Sequence, residues 1–332
     1  MTMTIPTPLL LGPNQPLDRP YRGGAGIARF RGTPQPSPFT PEDFVGSTTE
    51  VFAGGGVGLT VLPDGRTLRE AVAADPELFL GEEHVRRFGP RTMLLVKLLD
   101  TAERLFVHYH PDDAFAARQL SSPLGKTEAW AVIDAADDAY AALGFRRAVT
   151  PEEVRTWWTG QDADEMLAAM NRLPLAAGDT LLVPAGLAHA VGPGVTLVEL
   201  QQPTDLSLLI ERRSLSEAEA LLGLDLDTAL GGLTLDATPE ERIASLRQRR
   251  GAETLFPADA DPFFSAERIQ VTGSRELEPT FSVLVVLDGI GTLEAARGSL
   301  SLSRGATVLT SHGDGPITLD GDLDLIRCRP PR

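Results

Sequence analysis

Val107-His108-Tyr109-His110-Pro111-Asp112-Asp113 places two of the chain's five histidines two residues apart. In an extended strand, residues i and i+2 point to the same face, so His108 and His110 would present their imidazoles side by side. Downstream, Gly125-Lys126-Thr127-Glu128 repeats that spacing with Lys126 and Glu128, and Val183-Pro184-Ala185-Gly186 leads to His189. Three histidines and a glutamate on strand-like or turn-flanking segments form a first coordination shell suited to zinc or iron. Such a shell would leave a divalent ion with about one unit of net positive charge, enough to polarise a carbonyl or hydroxyl. Each residue alone has a plainer reading, as a surface histidine, a packed one or a loop one. The set carries the expectation, and only His84 and His312 fall outside it.

The bulk numbers bound the rest. The chain has 332 residues, of which 42% are hydrophobic and 23% charged, which suits two modest globular domains or one elaborate one. A formal net charge of −16 argues against nucleic acid and anionic membranes as partners. The single cysteine, Cys328, excludes an intrachain disulfide and fits a reducing compartment. Leu9-Leu10-Leu11 is too short an apolar run for a signal peptide or a membrane span, so a cytoplasmic protein is expected. The oligomeric state is left open by the sequence.

Residues 1–45, rich in Pro and Gly, read as loops and short edge strands. Residues 48–61 read as β-like alternation interrupted by Gly54-Gly55-Gly56, and residues 67–80 as one helix. Met93–Leu99 and Leu105–Tyr109 read as two strands joined tightly through residues 100–104. Further strands are expected at 129–134, 180–183, 196–201 and 206–210. Thr150-Pro151-Glu152-Glu153 is a helix start, with Thr as N-cap and Glu three residues on, and a second helix is expected over 164–172. Helices are also expected over 216–222 and from Thr238 to about Arg250. Beyond Ala258 the pattern is one of short strands at 269–271, 282–287, 291–293, 307–310 and 323–327, with turns at Asp288-Gly289 and Arg304-Gly305. The chain therefore reads as mainly β with helical segments. Its divisions are 1–213, with the metal-binding set and a helical segment near 150–173, then a helical connection over 214–257, then a C-terminal β unit over 258–332.

Three further residues are candidates for chemistry. Lys126 would face the same cavity as Glu128, to bind an anionic group or donate a proton, unless it is an ordinary solvated lysine. Lys97 lies inside Leu94-Leu95-Val96-Lys97-Leu98-Leu99, and apolar neighbours of both parities favour a polar cavity over solvent. Glu199, in Leu197-Val198-Glu199-Leu200, is a general-base candidate or an outward-facing strand residue. Asp112 and Asp113 cap the turn after Pro111, and Trp157 and Trp158 read as core.

With these segments in view, the chain resembles the type I mannose-6-phosphate isomerases of the cupin superfamily. The resemblance rests on LLVKLL (94–99) with Asp100, VHYHPDD (107–113), GKTE (125–128) with Trp130, VPAGLAHA (183–190) and ELQQ (199–202) with Asp205, in matching order and spacing. It implies two cupin jelly-roll barrels joined by helices, the first holding zinc and the second without a metal. It also implies His108, His110, Glu128 and His189 as zinc ligands, with Lys97, Lys126 and Glu199 in the site. Two departures stand out. His108 occupies a position where the family usually has Gln, and Leu209 occupies that of an active-site arginine, with Arg212 and Arg213 three and four residues on.

The expected activity is zinc-dependent aldose–ketose isomerisation of mannose 6-phosphate and fructose 6-phosphate or a related sugar, with Leu209 pointing to a shift in substrate. The metal and a lysine would stabilise an enediolate oxygen, and Glu199 or Lys126 would move the proton. Two alternatives are an iron-dependent cupin dioxygenase and a sugar-binding protein that has lost turnover. The long gap from His110 to Glu128 and the GKTE lysine favour the isomerase.

Overall fold

Alternation of apolar residues in the middle of the chain produces strands that swap between two sheets. The computed structural model describes residues 8–331. Its strands are β1 (Leu9–Leu11), β2 (Glu42–Val45), β3 (Leu95–Asp100), β4 (His108–Tyr109), β5 (Glu128–Ala135), β6 (Tyr140–Phe145), β7 (Met170–Pro174) and β8 (Thr180–Val183). They continue as β9 (His189–Val191), β10 (Val195–Gln201), β11 (Leu208–Leu209), β12 (Ser265–Leu277), β13 (Ser282–Ala295), β14 (Gly298–Ser303), β15 (Thr307–Thr310) and β16 (Ile317–Arg329).

One sheet has the order β2–β3–β10–β5–β8 and a second β11–β4–β9–β6–β7. From β3 to β11 most connections cross from one sheet to the other, and the apolar faces meet in one core. Trp130, Val198 and Leu200 of the first sheet share it with Leu143 and Val191 of the second. Every residue of β3 and β10 is buried. That matches the run of apolar side chains on both parities, and the helix Gly26–Arg31 packs on these two strands. A third sheet has the order β1–β15–β13–β16–β12, with β14 paired to β13. Its first strand comes from the far end of the chain, Leu9 lying opposite Leu309.

The helix at 150 forms as its sequence requires. Pro151–Gly160 begins with a reciprocal capping box, Thr150 Oγ1 accepting from the Glu153 amide and the Glu153 carboxylate accepting from the Thr150 amide. Thr150→Ala should cost about 1 kcal/mol and lower the melting temperature by roughly 2 °C. A calorimetric scan checks this. Trp157 and Trp158 are buried, as expected of core residues.

Elsewhere the structure corrects the sequence reading. Residues 48–61 form no strand, because Gly54, Gly55 and Gly56 all take positive φ and break the extended path. The helix expected over 67–80 is two, Leu68–Ala74 and Pro76–Leu80. Pro76 has no N–H to continue the first, and Asp75 caps the second. β3 and β4 are not a hairpin but lie in different sheets. The second helix after 150 stops at Ala168 and gives way to β7, and the one at 238 runs only from Glu240 to Ser245. Helices at Gly26–Arg31 and Asp113–Gln119 and the strand β6 were not anticipated. The strand at 307–310 forms as expected, but β12, β13 and β16 are long rather than short, and Asp288-Gly289 lies inside β13, beside a register shift between Val286 and Asp288, rather than in a turn. No helix among the described residues is long and apolar enough to cross a membrane.

Candidate metal centre

His108 on β4 lies directly opposite His189 on β9, so the two rings approach to 4.1 Å between centroids. His110, just past the end of β4, brings its ring to 5.0 Å from His108 and 4.8 Å from His189. One ring nitrogen from each falls within 4.8 Å of the others. Glu128 enters from the opposite sheet at the first position of β5. Its carboxylate oxygens lie 2.9 Å from His110 Nε2 and 3.3 Å from His189 Nε2.

The backbone sets the tautomers. Each Nδ1 meets a carbonyl oxygen: His108 that of Phe106 at 2.8 Å, His110 that of Leu206 at 2.8 Å, and His189 that of Leu187 at 2.9 Å. A carbonyl oxygen only accepts, so each Nδ1 donates and each neutral ring turns an Nε2 lone pair inward. Burial, followed by the Lys126 charge, pushes His110 down to about 3. Burial, followed by the other two histidines, takes His108 well below its ordinary value. Burial alone would raise the Glu128 carboxyl, but His110 and Lys126 hold it well below the usual range.

The neutral rings of His108 and His110 thus face an ionised carboxylate, acceptor against acceptor. His110 Nε2, His189 Nε2 and Glu128 Oε2 are buried with no hydrogen-bond partner among the described residues. Orphaned buried polar atoms cost about 1–3 kcal/mol each. A divalent cation among them removes that cost, and imidazole nitrogen with one carboxylate is a donor set that zinc accepts.

Around this cluster lies a second ring of charge. Lys126 Nζ stands 3.5 Å from Glu128 Oε2, so the two face one cavity as the i, i+2 spacing required. Trp130 Nε1 donates to Glu128 Oε1 at 3.1 Å and to Glu199 Oε1 at 3.2 Å, linking the carboxylate beside the histidines to the base candidate. Glu199 sits on β10 between Trp130 of β5 and Lys97 of β3. Burial, then repulsion from Glu128, raises its carboxyl to about 7. Lys97 does not face the cavity. It is 1% exposed, donates to Glu42 Oε1 at 2.9 Å and stands 3.8 Å from Glu199, behind the cavity wall. Burial would lower its ammonium, but Glu42, Glu199 and Asp205 outweigh burial and raise it.

The cavity measures about 240 Å³ and is walled by His108, Glu128, Lys126, Trp130 and Glu199. Leu209 on β11 lies opposite His108 and lines it too. The two arginines that follow turn away. Arg212 lies over Trp158, and Arg213 lies over Phe106 and donates to Glu211. Arg19, Tyr21 and Glu42 also line the cavity. Sequence reasoning missed them, because residues 1–45 show no periodicity from which a facing side could be read.

Comparison with known proteins places this geometry. A sequence model described as "Mannose-6-phosphate isomerase, cupin domain" matches residues 252–330, which hold β12 to β16. The mannose-6-phosphate isomerase of Streptococcus mutans is 31% identical over 255 residues, 74% of this chain and 77% of the relative. Mannose-6-phosphate isomerase ManA of Bacillus subtilis is 30% identical over 254 residues, 74% of this chain and 79% of the relative. The crystal structure of the Bacillus subtilis mannose 6-phosphate isomerase superposes with a TM-score of 0.77 at 24% identity, covering 98% of this chain and all of the other. The apo enzyme of Salmonella typhimurium gives 0.76 at 15% identity over 99% of this chain, a likeness of fold alone. A relative above 30% identity across three quarters of its length, on a shared mainly β cupin fold, is enough to say that this chain belongs to the mannose-6-phosphate isomerase family.

Proposed function

We propose that this protein is a zinc-dependent aldose–ketose isomerase that interconverts mannose 6-phosphate and fructose 6-phosphate, with the metal held by His108, His110, Glu128 and His189. The single observation that carries this reading is the buried set of lone pairs without donors, opening on a cavity whose wall includes a carboxylate raised to about 7. The names of the relatives support the substrate. In this reading residues 1–213 carry the site, 214–257 connect, and 258–332 form the second unit.

When bound, the ion supplies positive charge for the oxygen that becomes negative during proton transfer. Glu199 takes the proton from C2 of the aldose. The C2–H electron pair forms the C1–C2 double bond, and the C1 carbonyl pair moves onto O1, where the Lys126 ammonium donates. Glu199 returns its proton to C1 as the O2 hydroxyl gives its proton to the Lys126 amine, which restores the ammonium, and the ketose forms. A carboxyl near 7 suits both directions, because it is ionised often enough to accept and protonated often enough to give back. Trp130 fixes the Glu199 oxygen that it touches, and Lys97 with Glu42 holds the far side.

The test is isomerisation of mannose 6-phosphate by zinc-loaded protein, followed by exchange of the C2 proton with solvent deuterium. Lys126→Ala should lower kcat by roughly a hundredfold or more. Absence of exchange with every hexose and hexose phosphate tried would sink the isomerase reading. Stoichiometric iron with oxygen uptake would favour a dioxygenase instead.

A further inference from the structure

We infer that Arg19 is the residue that anchors the phosphate of the substrate, a role resting on the isomerase reading above. Arg19 is held at both ends. Its backbone N–H donates to Phe39 O at 3.2 Å, and its Nε lies against the Glu42 carboxylate. Glu42 also accepts from Lys97 at 2.9 Å, with Glu199 and Asp205 3.8 and 3.9 Å from that ammonium, so Glu42 bridges the two cations and holds the guanidinium in register with Lys97. Burial would raise the Glu42 carboxyl, but Arg19 and Lys97 bring it down to about 2, so it stays ionised and keeps the guanidinium in place.

The outer side of the guanidinium is free. The nearest carboxylate oxygen to NH2 is Asp205 Oδ1 at 3.8 Å, too far for a hydrogen bond, and neither terminal nitrogen bonds to another described residue. The side chain is 20% exposed and forms part of the cavity wall that also holds His108 and Glu128. A guanidinium fixed through Nε and open at its two terminal nitrogens is the fork that binds a phosphate bidentately.

No other group on the wall takes that role. Lys126 is engaged with Glu128, Lys97 lies behind the wall, and Arg212 and Arg213 point elsewhere. The surface at Leu209, Leu222 and Phe106 is apolar, and Glu219 beside it repels an anion. A sugar with its carbonyl end toward His108 and Glu128 therefore finds one guanidinium with open terminal N–H groups for its charged end, and that group comes from the N-terminal loop rather than from β11.

The experiment compares zinc-loaded wild type with Arg19→Gln and Arg19→Lys on mannose 6-phosphate and on free mannose. Calorimetric titration of fructose 6-phosphate is run on the same preparations. The ratio of kcat/KM for the ester to that for the free sugar should fall at least tenfold in Arg19→Gln, mainly through KM, and recover in part in Arg19→Lys. Fructose 6-phosphate affinity should fall in step. Because both substrates are read on one preparation, partial loss of folded protein cancels in the ratio. Parallel loss on the two sugars, or a wild type that turns over only the free sugar, overturns the assignment while the isomerase reading survives. A wild type that binds the ester through Arg19 without turnover sinks the isomerase reading and keeps the assignment. A wild type that neither binds nor converts the ester overturns both.

Discussion

Replacing Glu128 with glutamine is expected to strip the protein of its metal and to reduce isomerisation by at least roughly a hundredfold, as loss of one ligand or its orienting partner does. The substitution keeps the shape and the Trp130 contact but removes the one negative charge among the inward-facing donors. The ion then keeps its full charge in a buried site beside the Lys126 ammonium. The effect extends to stability. A ligand present at about a thousand times its Kd stabilises the folded state by about 4 kcal/mol, so chelation should lower the wild-type melting temperature by roughly several degrees. Zinc should restore it. The Glu128→Gln protein should melt at the same temperature with and without zinc. If elemental analysis finds stoichiometric metal in that variant and its rate is unchanged, the ligand assignment is wrong.

The second large effect belongs to Glu199. Glu199→Gln should lower kcat by roughly 10²–10⁴-fold, the range for a positioned general base, with little change in metal content. Wild-type kcat should climb with pH and level off above about 7, because the carboxyl must be ionised to accept the C2 proton. The residual activity of the variant should lack that rise. Stability should run the other way. The folded state holds the Glu199 proton more tightly than the unfolded chain does, so its contribution is fully present in acid and is lost as pH rises through about 7. The glutamine variant should therefore gain on wild type in melting temperature at pH 8 relative to pH 5. A pH profile unchanged by the substitution would assign the base elsewhere.

The histidine cluster was legible because its signals are local. A strand has a period of two, so His108–x–His110 and Lys126–x–Glu128 each declare a shared face, and the cap at Thr150 declares itself through residues three apart. Arg19 and Glu42 reach the cavity from a segment whose backbone follows no period, so nothing adjacent in sequence marks the side they face. The apolar strand around Lys97 was legible as buried, but whether its ammonium reached the cavity or a carboxylate behind it depended on Glu42, 55 residues away. The lengths of β12, β13 and β16 were hidden for a related reason. Asp288-Gly289 reads as a turn, whereas Gly289 lies opposite Leu323 inside a ladder, as Gly291 lies opposite Gly321. A Cβ on Gly289 would come within 2.0 Å of the Asp322 carbonyl. These glycines permit close approach of two backbones rather than a change of direction.

The pairing of β1 with β15 sets a constraint on biosynthesis. Leu11 and Thr307, joined across that pair, are 296 residues apart. At ribosomal speeds of about 5–20 residues per second, the first strand emerges roughly 15–60 s before its partner exists. Throughout that interval Leu9–Leu11 has no ladder to join, although the loop carrying Arg19 can already close through Asn14 on Asp43 and Phe44. The closing of this pair is also a contact of very long range, the kind that slows folding. A nascent chain stalled before Thr307 should therefore hold the histidine cluster yet remain sensitive to protease at its leading segment, and protection there should arrive only with the last thirty or so residues.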